Sequence, residues 1–287
     1  MLGRVSNLPT VWSNCLAAWC LAGGAPAPRN AGVPGETAWG RLALVLLGAS
    51  CLYVGGMFLN DVFDADFDRR FRPQRPIASG AVDRRLVWRW SVGWLGTGAL
   101  LLILLGQTTG VIAVDLLVVI ILYDLVHKRL TAAPALLGLC RFLLYLLAAS
   151  AAPRGVTGTA IWCGLALALY VTGISQLARR ESAAMAPESW PCLLLVAPIG
   201  LAAILNAGGY RTAALLLSLV LGLWILRSLR PAFWSAERET GKTVSLLLAG
   251  IVFVDWLAVA DLPRQSGLVF IPLFLLALGL QRRVPAT

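Results

Sequence analysis

The sequence predicts an all-α membrane protein, a polytopic bundle of nine or ten transmembrane helices around a central cavity. Hydrophobic residues make up 59% of the 287-residue chain, and its mean hydropathy is +0.78. Charged residues account for 13% of the chain, about half the share that a soluble domain of this size carries. Apolar runs of about 20 residues, the length that crosses a bilayer as a helix, recur from one end of the chain to the other.

The apolar runs follow one another with short polar connections, and the tryptophans lie near their ends, as in interfacial belts. Residues Asp261 to Arg264 interrupt the last two runs, so nine spans followed by a helix at the membrane interface is the alternative to ten. The predicted spans are 7–24, 39–60, 86–106, 109–126, 133–152, 156–178, 190–207, 211–229, 243–261 and 266–281.

No soluble domain or linker divides the chain, so we expect one integral-membrane domain over residues 1–287. Its motif-bearing core covers about 5–230, and its C-terminal helices cover 243–281. Residues 1–7 lead directly into the first span, without the short apolar core and cleavage site of a signal peptide.

The basic residues predict the orientation. Lys and Arg are concentrated in the connections on one side, and the positive-inside rule places that side, with the N-terminus, in the cytoplasm. The net charge of +10 is therefore explained by the basic residues on the cytoplasmic side, and we expect no nucleic-acid partner. The sequence is typical of a multi-pass protein of a bacterial inner membrane or its equivalent.

A few polar side chains fall inside predicted spans, where a charge is costly and usually pairs or lines a cavity. Asp115 and Arg141 lie on consecutive antiparallel spans at similar depth, and we predict a structural ion pair between them. Asp255 lies in the ninth span. Asn14, in the first span, is interpreted as a partner in an interhelical hydrogen bond.

The most informative stretch is residues 60–80, NDVFDADFDRRFRPQRPIASG, at the end of the second span. On a helix, Asn60, Asp64 and Asp68 share one face and Asp61 lies beside them, whereas Asp66 points elsewhere. Oxygen ligands of this kind suit a hard cation such as Mg²⁺, which is usually shared with phosphate oxygens. Four arginines that suit phosphate follow: Arg69, Arg70, Arg72 and Arg75. The pattern predicts a polyphosphate site; a solvated loop is the alternative, but it would not require helical spacing.

Two further polar clusters end spans on the same side. They are Tyr123–Arg129, with the sequence YDLVHKR, and Ser175–Glu181, with the sequence SQLARRE. One cavity could collect all three clusters and hold an anionic headgroup at its mouth, with a lipid tail between the helices. For the Tyr123–Arg129 cluster alone, ordinary snorkelling of basic side chains is an equal alternative.

Residues Asn60–Asp68, followed by Arg75–Gly80, closely resemble the first aspartate-rich motif of the UbiA superfamily of intramembrane prenyltransferases. The resemblance implies Mg²⁺-dependent transfer of a prenyl group from its diphosphate to a lipophilic acceptor, in a cavity open to membrane lipid. It implies that the metal is held by Asn60, Asp61, Asp64 and Asp68. It implies catalytic roles for Asp64, Asp68, Tyr123 and Lys128. It implies a diphosphate contact for Asn60. Arg72 and Arg75 are candidates for the same ligand from their own chemistry, and Arg179 and Arg180 are further candidates.

The chain departs from this resemblance in two places. His127, rather than Lys128, stands four residues after Tyr123, which leaves the spacing of the family's tyrosine–lysine element open. The family's second aspartate motif, at the end of span six, is replaced by residues 175–181. Either Arg179 or Arg180 supplies the missing positive charge, or the ligand carries one metal ion, or catalysis is weak or lost.

The segment Ala178–Ser182 is similar to UbiA-like members of the bacterial and algal Ebo gene cluster, whose other products are then candidate partners. Asp124 and His127 are candidates for the base that removes a proton from the acceptor. Two alternatives stay open: a non-catalytic prenyl-lipid carrier or export component, and a terpene cyclase on the same scaffold. The chain has neither the motif of a CDP-alcohol phosphotransferase nor the repeated halves of a secondary transporter.

Overall fold

A computed structural model of the chain describes residues 5–24, 35–182, 188–205, 210–235, 239–261 and 267–283. Of residues 35–38, 180–182, 210–211 and 283, it describes the backbone alone. Every regular element in these ranges is helical, which confirms the predicted all-α class.

The described helices correspond in order to the predicted spans. They are α1 (Leu8–Trp19), α2 (Gly35–Phe71), α3 (Arg84–Ile103), α4 (Gln107–Val126), α5 (Ala133–Ala151), α6 (Gly158–Ser182), α7 (Pro191–Leu195), α8 (Ala197–Ile204), α9 (Tyr210–Phe233), α10 (Thr240–Ala258) and α11 (Phe270–Arg283). The seventh predicted span is divided into α7 and α8 at Val196, because Pro198 has no N–H to donate to the preceding turn.

Seven helices in the described ranges are long and apolar enough to cross a membrane: α2, α3, α4, α5, α6, α9 and α10. Helices α1, α7, α8 and α11 occupy the other predicted spans but are shorter. The chain is therefore an integral, multi-pass membrane protein.

Helix α2 is the element that positions the predicted motif. It has 37 residues and continues eleven positions beyond the predicted end of the second span, to Phe71. The motif therefore lies on a continuous helix, which preserves its spacing of four residues. The helix ends where Pro73 restricts the backbone of the preceding residue.

Helix α2 packs closely against α3 through small residues. A Cβ atom at Gly98 would lie 2.8 Å from the carbonyl oxygen of Gly48, so the two backbones approach each other directly. The hydroxyl of Ser91 also donates to the carbonyl oxygen of Gly55 at 2.9 Å. This contact fixes the rotation of α2, and with it the face that the motif presents.

The predicted ion pair between Asp115 and Arg141 is wrong. Helix α4 buries a stripe that includes Ala113 and Leu116, and Asp115 lies off this stripe with its side chain exposed. Arg141 instead donates to Asn14 Oδ1 at 2.6 Å. The predicted interhelical hydrogen bond of Asn14 is confirmed, because its Nδ2 donates to a carboxylate oxygen of Asp255 on α10 at 2.7 Å.

Candidate active site

A cavity of about 1270 Å³ lies between α2, α4, α5, α6 and α10. The end of the cavity that contains the α2 motif is polar, and we call this end the mouth. Beyond the mouth, most of the wall is apolar, with Leu52, Leu116, Leu144, Val171 and Ile251 among its residues. A charged head at the mouth and a hydrocarbon chain beyond it would both find a matching surface.

The motif face of α2 is directed into the mouth. Asn60, Asp61, Asp64 and Asp68 all line the cavity. Asp66 lies on another side of the helix, where it forms exposed ion pairs with Arg69 at 2.7 Å and Arg84 at 3.2 Å. The structure thus separates Asp66 from the other acidic residues, as the helical spacing predicts.

Asp64 is held by two residues that follow α4. Lys128 Nζ lies 2.6 Å from Asp64 Oδ1, and His127 Nε2 lies 3.1 Å from the same oxygen. Lys128 also lies over the ring of Phe67, 4.8 Å from its centroid. Tyr123 stacks on His127 with ring centroids 5.2 Å apart. His127 and Lys128 therefore both reach the motif.

Both ring nitrogens of His127 have a polar partner. Its Nδ1 lies 3.1 Å from the backbone carbonyl oxygen of Asp124, and its Nε2 faces the carboxylate of Asp64. Both partners accept hydrogen bonds, an arrangement that favours the protonated imidazole, in which both ring nitrogens are donors. Burial lowers the pKa of His127, but the hydrogen bond to Asp64 and its charge outweigh burial, and the pKa lies above its usual value.

Asp61 and Asp68 share one cation. Arg75 Nη1 lies 3.1 Å from Asp68 Oδ2 and 3.6 Å from Asp61 Oδ1. The other oxygen of Asp68, Oδ1, is buried and has no hydrogen-bond partner among the described residues. Asn60 Nδ2 donates to Asp124 Oδ1 at 3.1 Å, which ties the motif to α4.

The end of α6 contributes cationic and neutral groups to the mouth. Ser175, Ala178 and Arg179 line the cavity there, and Arg179 Nη1 donates to the carbonyl oxygen of Leu130 at 2.6 Å. The side chains of Arg180 and Glu181 lie outside the described residues. Arg72 also lines the cavity.

The residues at the mouth fit a divalent cation, although they do not form a closed metal site. In the described part of the chain, no group of three or more His, Cys, Asp or Glu side chains is arranged around a metal position. Lys128 and Arg75 form ion pairs with these carboxylates instead. Four oxygen-bearing side chains on one helix face, with the buried Asp68 Oδ1 unsatisfied, are a donor set that suits Mg²⁺.

Two contributors to the cavity went unrecognised in the sequence. Arg141 lines the cavity wall. Its position within a predicted span had indicated a structural ion pair instead. Phe67 contacts Lys128 and lines the cavity, and it stands three residues after Asp64, a spacing that brings two side chains to one face of a helix. That spacing could have predicted that Phe67 faces the cavity. No local pattern predicts the position of Arg141, because its hydrogen-bond partners are distant in the chain.

Residues 15–239 match the UbiA prenyltransferase family, and the chain belongs to this family. A segment of 89 residues is 38% identical to digeranylgeranylglyceryl phosphate synthase from Metallosphaera sedula, covering 31% of this chain and 31% of that protein. A segment of 93 residues is 37% identical to 4-hydroxybenzoate octaprenyltransferase from Paracidovorax citrulli, covering 32% of this chain and 25% of that protein. The chain thus matches less than a third of the length of either curated relative.

A solved structure reported for digeranylgeranylglyceryl phosphate synthase in membranes resembles the whole fold. The likeness has a TM-score of 0.62 and covers 91% of this chain and 96% of that chain, at 18% sequence identity. At this identity the likeness concerns the fold alone.

Proposed function

We propose that the protein transfers a prenyl group from its diphosphate to a lipophilic acceptor within the membrane, in a Mg²⁺-dependent reaction. The observation that carries the proposal is the mouth itself, where a row of oxygen ligands on α2 faces Lys128, Arg75 and Arg179 at the head of a long apolar cavity. Acidic groups for a metal ion beside cations for phosphate are what a prenyl diphosphate requires.

Asn60, Asp61, Asp64 and Asp68 would hold Mg²⁺, which supplies Lewis-acid stabilisation of the departing diphosphate when bound. Lys128 Nζ, now 2.6 Å from Asp64, is close enough to the mouth to exchange this carboxylate for a phosphate oxygen. Arg75 and Arg72 approach the same region from the segment after α2, and Arg179 does so from α6. Their guanidinium groups orient a diphosphate and stabilise its charge.

The apolar wall beyond the mouth excludes water from the reacting carbon. An allylic cation formed there is protected from hydrolysis until the acceptor attacks. Asp124 is buried, at 4% exposure, and lines the cavity beside Asn60, so it is our candidate for accepting the acceptor's proton. The contact with Asp64 raises the pKa of His127 above its usual value, which makes His127 the weaker candidate.

The proposal also covers the type of transfer, the subgroup within the family and the orientation in the membrane. The names of the relatives support a prenyl transfer, since one of them is an octaprenyltransferase. The segment Ala178–Ser182 supports placement among the UbiA-like members of the Ebo gene cluster, and the positive-inside rule supports a cytoplasmic mouth.

A non-catalytic prenyl-lipid carrier is the second candidate function. It is favoured by the described end of α6, where Ser175, Ala178 and Arg179 line the cavity at the position of the family's second aspartate motif. A carrier would bind a prenyl diphosphate and leave it intact.

Diphosphate release separates these functions. Purified protein in detergent is incubated with C10, C15 or C20 prenyl diphosphate, with or without Mg²⁺ and a lipid extract, and products are identified by mass spectrometry. We expect Mg²⁺-dependent release that requires the extract and yields a prenylated lipid. Release without any acceptor-containing product would indicate a cyclase, and tight binding without release would indicate a carrier; either result would refute the proposed transfer.

A further inference from the structure

Away from the mouth, a second polar group lies within the membrane-embedded part of the bundle. We call it the inner network: Thr10, Ser13 and Asn14 of α1, Arg141 of α5 and Asp255 of α10. Arg141 donates to Asn14 Oδ1 at 2.6 Å and to Thr10 Oγ1 at 3.0 Å. Asp255 Oδ2 accepts from Ser13 Oγ and, at 2.7 Å, from Asn14 Nδ2.

The amide of Asn14 stands between the two charges of this network. Its oxygen accepts from Arg141 and its nitrogen donates to Asp255. Asp255 is almost fully buried, at 1% exposure, whereas Arg141 lines the cavity. Asn14 thus links Arg141, at the cavity wall, to the buried Asp255.

This arrangement leaves Arg141 with hydrogen-bonding capacity. A guanidinium has five N–H donors; Nη1 of Arg141 donates to Asn14 and Nη2 donates to Thr10. Unsatisfied donors are costly in a water-poor, membrane-embedded cavity. A ligand oxygen that lies against this part of the wall would remove that cost.

The inner network is distinct from the diphosphate site. Arg141 lies eight residues beyond the start of α5 at Ala133, which places it about 12 Å along the helix from the mouth. The wall around it includes the apolar residues Val11, Leu144 and Ile251. A single cation at this depth is poorly suited to a hydrocarbon chain, but it suits a polar group on an otherwise lipophilic molecule.

We propose that Arg141 binds an uncharged oxygen of the acceptor, a carbonyl or a hydroxyl, and that Asn14 and Thr10 position its guanidinium. The inference rests on the proposed function, since it concerns the second substrate of that site. An uncharged group fits better than an anion because the acidic side chain of Asp255 lies in the same network, and burying a further acidic group in a medium of low dielectric is costly.

Three probes with the same ring skeleton test the proposal by direct binding. They are 2-methyl-1,4-naphthoquinone, which has two carbonyls; 2-methylnaphthalene, which has no oxygen; and 1-hydroxy-2-naphthoate, which is an anion. Each is measured by equilibrium dialysis against purified protein and corrected for partition into detergent. A hydrogen bond to a charged donor predicts that the quinone binds the wild type about 10-fold more tightly than the hydrocarbon.

Variants then assign the effect to the inner network. Arg141→Met should weaken quinone binding about 10-fold and leave the hydrocarbon unchanged. The double variant Arg141→Met with Asp255→Asn restores charge balance, and it carries the test if the single variant does not fold. Arg41→Met is the matched control, since Arg41 donates to the backbone carbonyls of Ala151 and Leu105 and does not contribute to the cavity wall.

The possible outcomes are distinct. Selective loss of quinone binding in the Arg141 variants, with the Arg41 control unchanged, supports the subsite. Equal affinity of the wild type for quinone and hydrocarbon overturns it, as does a preference for the naphthoate anion. Binding of a prenyl diphosphate is measured separately on the same samples. Its absence would refute the proposed function while leaving an Arg141-dependent affinity for the quinone in place.

Discussion

The substitution Asp64→Asn tests whether the motif face of α2 carries the chemistry, and Asp66→Asn is its matched control. The two residues stand on the same helix and the exchange is identical, but only Asp64 is directed into the cavity. The Asp64 side chain is 13% exposed and contacts Lys128 at 2.6 Å. The Asp66 side chain is 66% exposed.

The expected magnitudes follow from this difference in environment. Removing one charged partner from a buried, hydrogen-bonded set costs about 2–4 kcal/mol, which corresponds to a loss of about 30- to 1000-fold in kcat/KM. The exposed ion pairs of Asp66 contribute no more than about 1 kcal/mol to stability. They have no contact with the cavity, so kcat/KM of Asp66→Asn should stay within about 2-fold of the wild type.

The assay is Mg²⁺-dependent release of diphosphate from the preferred donor, with melting temperature in detergent as a check of folding. An Asp64→Asn variant that keeps wild-type activity would refute the assignment of the α2 face. So would an Asp66→Asn variant that loses activity as severely as Asp64→Asn while remaining folded.

Three further predictions concern pH, packing and the replaced second motif. The pairing of protonated His127 with Asp64 stabilises the ligand-free protein below the usual pKa of histidine, and this stability is lost as pH rises through the raised pKa. The difference in melting temperature between the wild type and His127→Gln should therefore be largest below the usual pKa of histidine and should disappear as the pH rises through the raised pKa; a constant difference would contradict this. Gly98→Ala should lower the melting temperature by several degrees, because its Cβ would meet the backbone of α2 at 2.8 Å, whereas Gly96→Ala has open space and should be neutral. Arg179→Met should weaken binding of the prenyl diphosphate about 10-fold and Arg179→Lys less so, as measured by titration; equal binding by all three proteins would exclude Arg179 from the site.

Local features of the site could be predicted from the sequence because they depend on one helix at a time. The spacing of Asn60, Asp64 and Asp68 is a property of helix geometry, which turns every fourth residue to the same side. The same geometry directs Asp66 away from the cavity. The two later clusters could be assigned to the same end of the bundle, since even-numbered spans end on one side of a membrane.

Contacts between helices could not be predicted in the same way. Arg141 was expected to pair with Asp115, because consecutive spans are neighbours and the two residues have similar depth. The rotation of α4 turns Asp115 outward, and Arg141 bonds to Asn14 of α1 instead. Depth in the membrane can be read from position in the chain, but rotation about the helix axis is set by packing against every neighbour at once.

The sequence by itself determined the all-helical membrane class, the order of the helices and the row of oxygen-bearing side chains on one face of α2. Each of these follows from hydropathy or from the period of a single helix. Only the tertiary structure decided that His127 and Lys128 both reach Asp64, that one arginine serves Asp61 and Asp68, and that Arg141 lines the cavity. These contacts join residues that are distant in the chain, and their geometry depends on side-chain packing between helices, which no local pattern records.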